Sequence, residues 1–296
     1  MLKTIFKLLG SLAILIALFV FMDTEAIFAR LRDADVHWLG FALIVLTVLT
    51  FLMARRWQLT ACSFGFDLPY RRAVREYYIA QFLNLVLPSG MAGDAARALR
   101  LKKDRPLKQA AQTVFMERLI GQTTLFLMMF VGFTFALLVP GGVPWPNWSW
   151  AWLAIMACVA FVVVACAGHK SAVGAFLRKA IWLMTRPEQV LLSAAIAVLI
   201  SVAFYFCASA TGTDLPVTTL FTMIPLLLTA MLIPLSVGGW GWREGAAAAL
   251  FPLAGATPSA GVAAGIAYGA MMLIAALPAV FFLVFAQNGA TSDVAD

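Results

Sequence analysis

Long apolar runs, separated by short basic, acidic or glycine- and proline-rich segments, set the pattern of this chain. A helix needs roughly 20 predominantly apolar residues to cross a bilayer core. On that basis Leu8 to Met22, Trp38 to Ala54, Gln109 to Val139, Trp152 to Gly168, Glu188 to Ala210 and Ala260 to Ala286 read as six spans. Lys3 and Lys7 precede the first run, and no A-x-A-like site follows it, so an uncleaved span is expected. Asp23 to Val36, with four acids against Arg30 and Arg32, is expected as an external loop, and Arg55 and Arg56 as the close of the second span. Pro140 to Trp150 reads as an uncharged external turn with interfacial tryptophans. Within His169 to Arg186, Val173, Phe176, Leu177, Ala180, Ile181 and Met184 recur at helical spacing. This predicts an amphipathic helix on the inner membrane surface.

Two further runs are interrupted. Tyr77 to Leu87 is only half the length of a span and meets Pro88, Gly90 and Gly93, after which Asp94 to Leu101 can form a short helix. Val217 to Ile233 meets Pro234, Gly238, Gly239 and Gly241, and Ala246 to Leu253 follows. Proline removes an amide and clashes one turn back, and glycine is entropically costly in a helix, so neither break can be a regular helix. Pro88 and Pro234 lie 146 positions apart, nearly half the chain. The first segment is flanked by Arg71, Arg72 and Arg75 and by Arg100 to Arg105; the second has no Lys or Arg on either flank. By the positive-inside rule the two enter from opposite faces as re-entrant hairpins. The expected fold is an all-α polytopic membrane protein with two inverted repeats, each of two spans, a re-entrant helical hairpin and a third span. Residues 1–296 form one integral membrane domain, with repeats at about 1–140 and 150–286 and both termini cytoplasmic.

Composition agrees: 63% of the residues are hydrophobic and 12% charged, outside the range of soluble domains. The net charge of +7 sits at the ends of apolar runs, which argues for membrane topology and against nucleic acid. Cys62, Cys158, Cys166 and Cys207 lie in or beside apolar runs without CxxC spacing and read as small buried hydrophobes. His37 and His169 read as span flanks. No metal-ligand cluster, P-loop or histidine beside a candidate nucleophile is present, so no cofactor and no metal are expected.

The chemistry then rests on ionisable residues in apolar surroundings, which are functional candidates by default. Asp94 and Arg97 are three apart and share a helix face; Arg243 and Glu244 are adjacent, about 100° apart on a helix and directed into different surroundings; Glu117 and Arg118 lie near the start of a span. Arginine's planar fork suits phosphate, and helix N-termini after Gly93 and Gly241 would add oriented amides. The reading is that Arg97 and Arg243 meet an anionic headgroup, one from each hairpin. Asp94, Glu244 and Glu117 balance charge, meet a cationic headgroup or carry a coupling proton. The plainer alternative is structural ion pairs in broken helices. A lipid transporter is expected, against an ion-coupled carrier of a small soluble anion or a membrane-embedded lipid-modifying enzyme, with catalysis not expected.

Leu87 to Arg97, the Glu117-Arg118 pair and the Pro-x-Ser-x-Gly-Gly-x-Gly-x-Arg-Glu-Gly stretch at Pro234 to Gly245 resemble the flippase-like family. This is the membrane region of the lysylphosphatidylglycerol synthases and their free-standing relatives. The resemblance spans nearly the whole chain, with Ala92 standing where members commonly have glycine. It implies transfer of a polar lipid between leaflets of a bacterial-type inner membrane, the substrate an aminoacylated phospholipid or a polyprenyl-phosphate glycolipid. The soluble aminoacyl-transferase domain of the synthases is not expected here. A homo-oligomer is left open.

Overall fold

The computed structural model describes residues 23–87, 91–102, 105–139, 143–232 and 238–290, with side chains to residue 284. The first expected span, Pro88, Gly90, Pro234 and both termini lie outside the described residues. Among those residues every regular element is helical. Five segments are long and apolar enough to cross a membrane: Val36–Ser63, Leu107–Leu138, Trp148–Gly168, Pro187–Ala210 and Pro258–Val284. Their outward faces are apolar, with Phe41, Ile44 and Val48 on the first and Phe161, Val162 and Val164 on the third all exposed. So much uncovered hydrocarbon surface is tolerable in lipid and not in water.

The expected loop after residue 23 is instead a helix, α1 (Thr24–Arg32). Asp23 caps it by accepting from the Ala26 amide at 3.0 Å, Glu25 lies in its first turn, and Arg30 and Arg32 lie in its last. That charge order complements the helix dipole. Its Ile27 is buried against Ala248, Val262 and Ala263, and Arg30 donates to the Thr211 and Gly212 carbonyls at 3.0 and 3.3 Å. α2 (Val36–Ser63) does not close at Arg55 and Arg56 as expected. Nothing between Ala54 and Ser63 breaks a helix, and the chain reverses only near Gly65, whose φ is +80°. Arg56 is therefore carried inward and buried.

α3 (Tyr70–Val86) begins seven residues before the apolar run, and α4 (Ala92–Leu101) two residues before Asp94. α4 lies directly on α3: a Cβ on Gly93 would sit 1.9 Å from the Ala80 carbonyl oxygen. α5 (Leu107–Leu138) and α6 (Trp148–Gly168) follow. α7 (Ala172–Met184) packs Phe176, Ala180 and Leu183 against Met116 and Ile120 of α5. Val173 and Ile181, on the apolar face read from periodicity, are not covered by the protein. Burial pushes the Lys179 ammonium below its usual pKa where its Nζ donates to the Ser63 carbonyl at 2.9 Å.

α8 (Pro187–Ala210) runs along α2. The descending limb after it is subdivided into a 3₁₀ turn at Val217–Phe221, α9 (Met223–Thr229) and a second 3₁₀ turn at Ala230–Leu232. α10 (Trp242–Leu250) returns and packs on α11 (Pro258–Ala276). The last expected span runs on through Leu277, which keeps helical backbone angles; Pro278 cannot donate to the preceding turn, so the hydrogen-bond ladder lapses there and α12 (Pro278–Ala290) follows. Leu46, Phe204, Leu227, Ala247 and Tyr268 join α2, α8, α9, α10 and α11 in one core. Three cysteines depart from expectation: Cys62, Cys158 and Cys166 are exposed, and Cys207 alone of the four is buried.

Candidate functional site

α4 delivers Asp94 and Arg97 to the same face, three residues apart, and Arg97 Nη2 donates to Asp94 Oδ1 at 3.0 Å. The same nitrogen donates to Glu117 Oε2 of α5 at 3.2 Å. Glu117 Oε1 accepts from Arg56 Nε and Nη2 of α2 at 3.2 and 2.5 Å, and from the Tyr77 hydroxyl at 3.4 Å. Arg118 pairs with the other oxygen of Asp94. Arg97 is 2% exposed, its guanidinium held between the Trp57 and Tyr77 rings at 4.6 and 4.7 Å. Such stacking stabilises a cation that has left water. Asn84 holds the turn into α4 by accepting from the Gly93 amide at 2.8 Å.

Arg56, Tyr77, Asn84, Asp94, Arg97, Glu117 and Arg118 line a cavity of about 550 Å³. Gln81, Asn84 and Met91 line it from the first interrupted segment, and Met231, Gly238 and Gly239 from the second. The two interrupted segments touch, since a Cβ on Gly238 would lie 2.8 Å from the carbonyl oxygen of Leu85 near the end of α3. The volume lies in the usual range of ligand sites. Its charged lining is three guanidinium groups, Arg56, Arg97 and Arg118, against two carboxylates, Asp94 and Glu117. Among the described residues, its buried polar atoms without a hydrogen bond are Arg56 Nη1, Arg97 Nε and Nη1, and Gln122 Nε2. All four are donors.

Arg243 and Glu244 stand elsewhere, both fully buried. Gly241, at φ +89°, turns the chain into α10, and its amide donates to Glu244 Oε2 at 2.7 Å. Arg243 Nε and Nη2 donate to Glu244 Oε1 at 3.0 and 2.5 Å. The expectation that these neighbours diverge is thus corrected: Glu244 curls back over the first turn of α10, and the long Arg243 side chain swings round to meet it. The guanidinium lies 4.9 Å from the Trp240 ring and 5.7 Å from that of Tyr268, which itself lines the cavity. Arg243 is therefore one side chain removed from the space that Arg97 lines. Gly269 makes the room, because a Cβ there would meet Arg243 Nη2 at 2.3 Å, and Gly265 faces Glu244.

The structure therefore brings Asp94, Arg97, Glu117 and Arg118 to one cavity and keeps Arg243 and Glu244 as a buried pair behind Tyr268, with Arg243 Nη1 also left without a hydrogen bond. It adds Arg56, Tyr77, Asn84, Gln122 and Tyr268, which sequence reading passed over. An asparagine inside the apolar Tyr77 to Leu87 run was the one local signal for these. Both interrupted segments thus carry buried ion pairs among apolar helices. No curated protein sequence matches the chain. A family profile does: that described as the lysylphosphatidylglycerol synthase TM region matches residues 5–279. The match ties the chain to a membrane lipid-related function, and by it the chain belongs to the family of that region.

Proposed function

We propose that the protein moves an anionic lipid headgroup between leaflets, the headgroup resting in the Arg56–Arg97–Arg118 cavity. The observation that carries this reading is the set of unpaired donors there, all on arginine or amide nitrogens. An acceptor-rich ligand of net negative charge, such as a phosphate, satisfies them, whereas a cationic headgroup leaves them bare. Desolvating a charged headgroup alone in about 30 Å of hydrocarbon is prohibitive, and a polar cavity at depth removes that barrier.

In this proposal the two interrupted segments are re-entrant hairpins of two inverted repeats, and rocking of one repeat against the other gives alternating access. Support comes from the matching of α4 on α5 with α10 on α11, and from the common spacing of Arg97 and Arg243 with the two prolines. The basic flanks Arg71, Arg72 and Arg75 then face the cytoplasm of a bacterial-type inner membrane, as do both termini. The chain moves lipid without altering it, and no cofactor takes part.

The test is reconstitution in phosphatidylglycerol-containing vesicles with a fluorescent phosphatidylglycerol, scoring exposure to an impermeant quencher. Arg97→Ala and Arg118→Ala should slow translocation at least tenfold in correctly folded protein. Wild-type rates in both variants would refute the headgroup role. Uptake of soluble glycerol phosphate without lipid movement would assign the cavity to a small anion, and a chemically altered lipid by mass spectrometry would assign it to an enzyme.

A further inference from the structure

A second space adjoins the charged cavity and differs from it in kind. Between α5, α8 and the 3₁₀ turn Val217–Phe221 runs a groove of about 660 Å³, lined by Leu127, Val131 and Phe135 on one side and Ala194, Ala197 and Phe221 on the other. Its threonines add little polarity: Thr124 Oγ1 is committed to the Ile120 carbonyl at 2.9 Å, and the other is the exposed Thr218. Ala197 lines both the groove and the cavity, so the two adjoin at this one residue of α8. Along α5 the groove extends from Thr124 to Ala136, about 18 Å at 1.5 Å per residue. One leaflet of hydrocarbon is about 15 Å deep. At the end away from the charges, Gly132 lets the 3₁₀ turn seat on the helix, since a Cβ there would lie 2.2 Å from the Phe221 carbonyl oxygen.

We propose that this groove holds a hydrocarbon chain of the same lipid whose headgroup occupies the charged cavity, and that the lipid enters sideways between α5 and α8. The proposal rests on the lipid-transport reading and deepens it. A charged cavity and an apolar groove about one leaflet long, meeting at Ala197, match a single amphiphile. A soluble anion fills only the first compartment.

The test uses the unaltered protein in phosphatidylcholine vesicles containing a trace of phosphatidylglycerol with a photoreactive diazirine in its acyl chain. After illumination, mass spectrometry should find adducts concentrated on residues 124–136 and 194–198. The same probe on phosphatidylcholine should label these residues at least fivefold less, and excess glycerol phosphate should lower the phosphatidylglycerol adducts there but not elsewhere. Equal labelling by both probes, unaffected by glycerol phosphate, would mean that the groove is coated by bulk lipid and would overturn the proposal. In a second arm, Ala194→Trp fills the groove at an exposed position and should slow lipid translocation tenfold while glycerol phosphate binding stays within twofold. If Ala194→Trp transports normally while Arg97→Ala does not, the tail site is wrong and the headgroup site stands. If neither variant alters transport, the lipid-transport reading itself has failed.

Discussion

Glu117→Gln is the most informative single change, because one carboxylate holds two buried guanidinium groups. Its Oε1 takes Arg56 and its Oε2 takes Arg97, and all three side chains are 5% exposed or less. The amide keeps the volume but removes the charge, leaving Arg56 without a carboxylate and Arg97 with Asp94 alone. Removing one partner of a buried pair costs about 3–5 kcal/mol, and with two cations dependent on it we expect the upper end, about 5 kcal/mol. The double variant Arg56→Met, Glu117→Met removes one charge of each sign and keeps Arg97 on Asp94. Replacing a buried pair by apolar side chains is typically neutral or better, so it should recover to within about 1 kcal/mol of wild type. Equilibrium unfolding in mixed micelles, followed by tryptophan fluorescence, reads both. A Glu117→Gln cost below about 1 kcal/mol, or a double variant less stable than Glu117→Gln, would refute the view that electrostatic desolvation governs this cluster.

Other outcomes follow from single contacts. Gly269→Ala drives a methyl into the Arg243 guanidinium and should destabilise by about 1–3 kcal/mol in the same unfolding assay, with Gly40→Ala, which meets nothing, as the control. Arg30→Ala removes the donor on the Thr211 and Gly212 carbonyls; a loss of about 1 kcal/mol and faster amide exchange at the α8 C-terminus are expected. The Asp35 carboxyl, outside the spans, is held below its usual range chiefly by the His37 amide. Its folded pKa is depressed, so its contribution is full above the unfolded value near 4 and disappears as pH falls through the folded value. Wild type should therefore lose stability relative to Asp35→Asn as pH falls below about 4, and parallel melting curves would contradict this.

Spans were readable because an apolar run announces itself whatever its neighbours do: Leu107–Leu138 and Pro187–Ala210 fall within two residues of expectation. Helix ends were less readable. Arg55 and Arg56 looked like a boundary because charge usually meets water there, but the backbone has no reason to stop before Gly65. Once α2 continues, Arg56 needs a partner, and Glu117, 61 residues away, supplies it. No local pattern encodes that pairing. Asp94 with Arg97 was readable because both lie on one short helix. Arg243 with Glu244 was not, because helix geometry sends neighbours apart and only the curl of Glu244 onto Gly241 reunites them. The α1 helix was missed for a different reason: its acidic start and basic end were counted as loop charge and not as complements to a dipole.

The two arginines at matching positions are tied into the scaffold differently. Glu244 rides on the same turn as Arg243, with Gly265 of α11 leaving space for it, whereas Arg97 is shared between Asp94 of its own helix and Glu117 of α5. A shift of α10 against α11 leaves the Arg243–Glu244 pair whole. A shift of α4 against α5 separates Arg97 from Glu117 and leaves it on Asp94 alone. Loss of a partner by a buried ion costs about 3–5 kcal/mol, so electrostatic resistance to such a shift is concentrated where α4 meets α5.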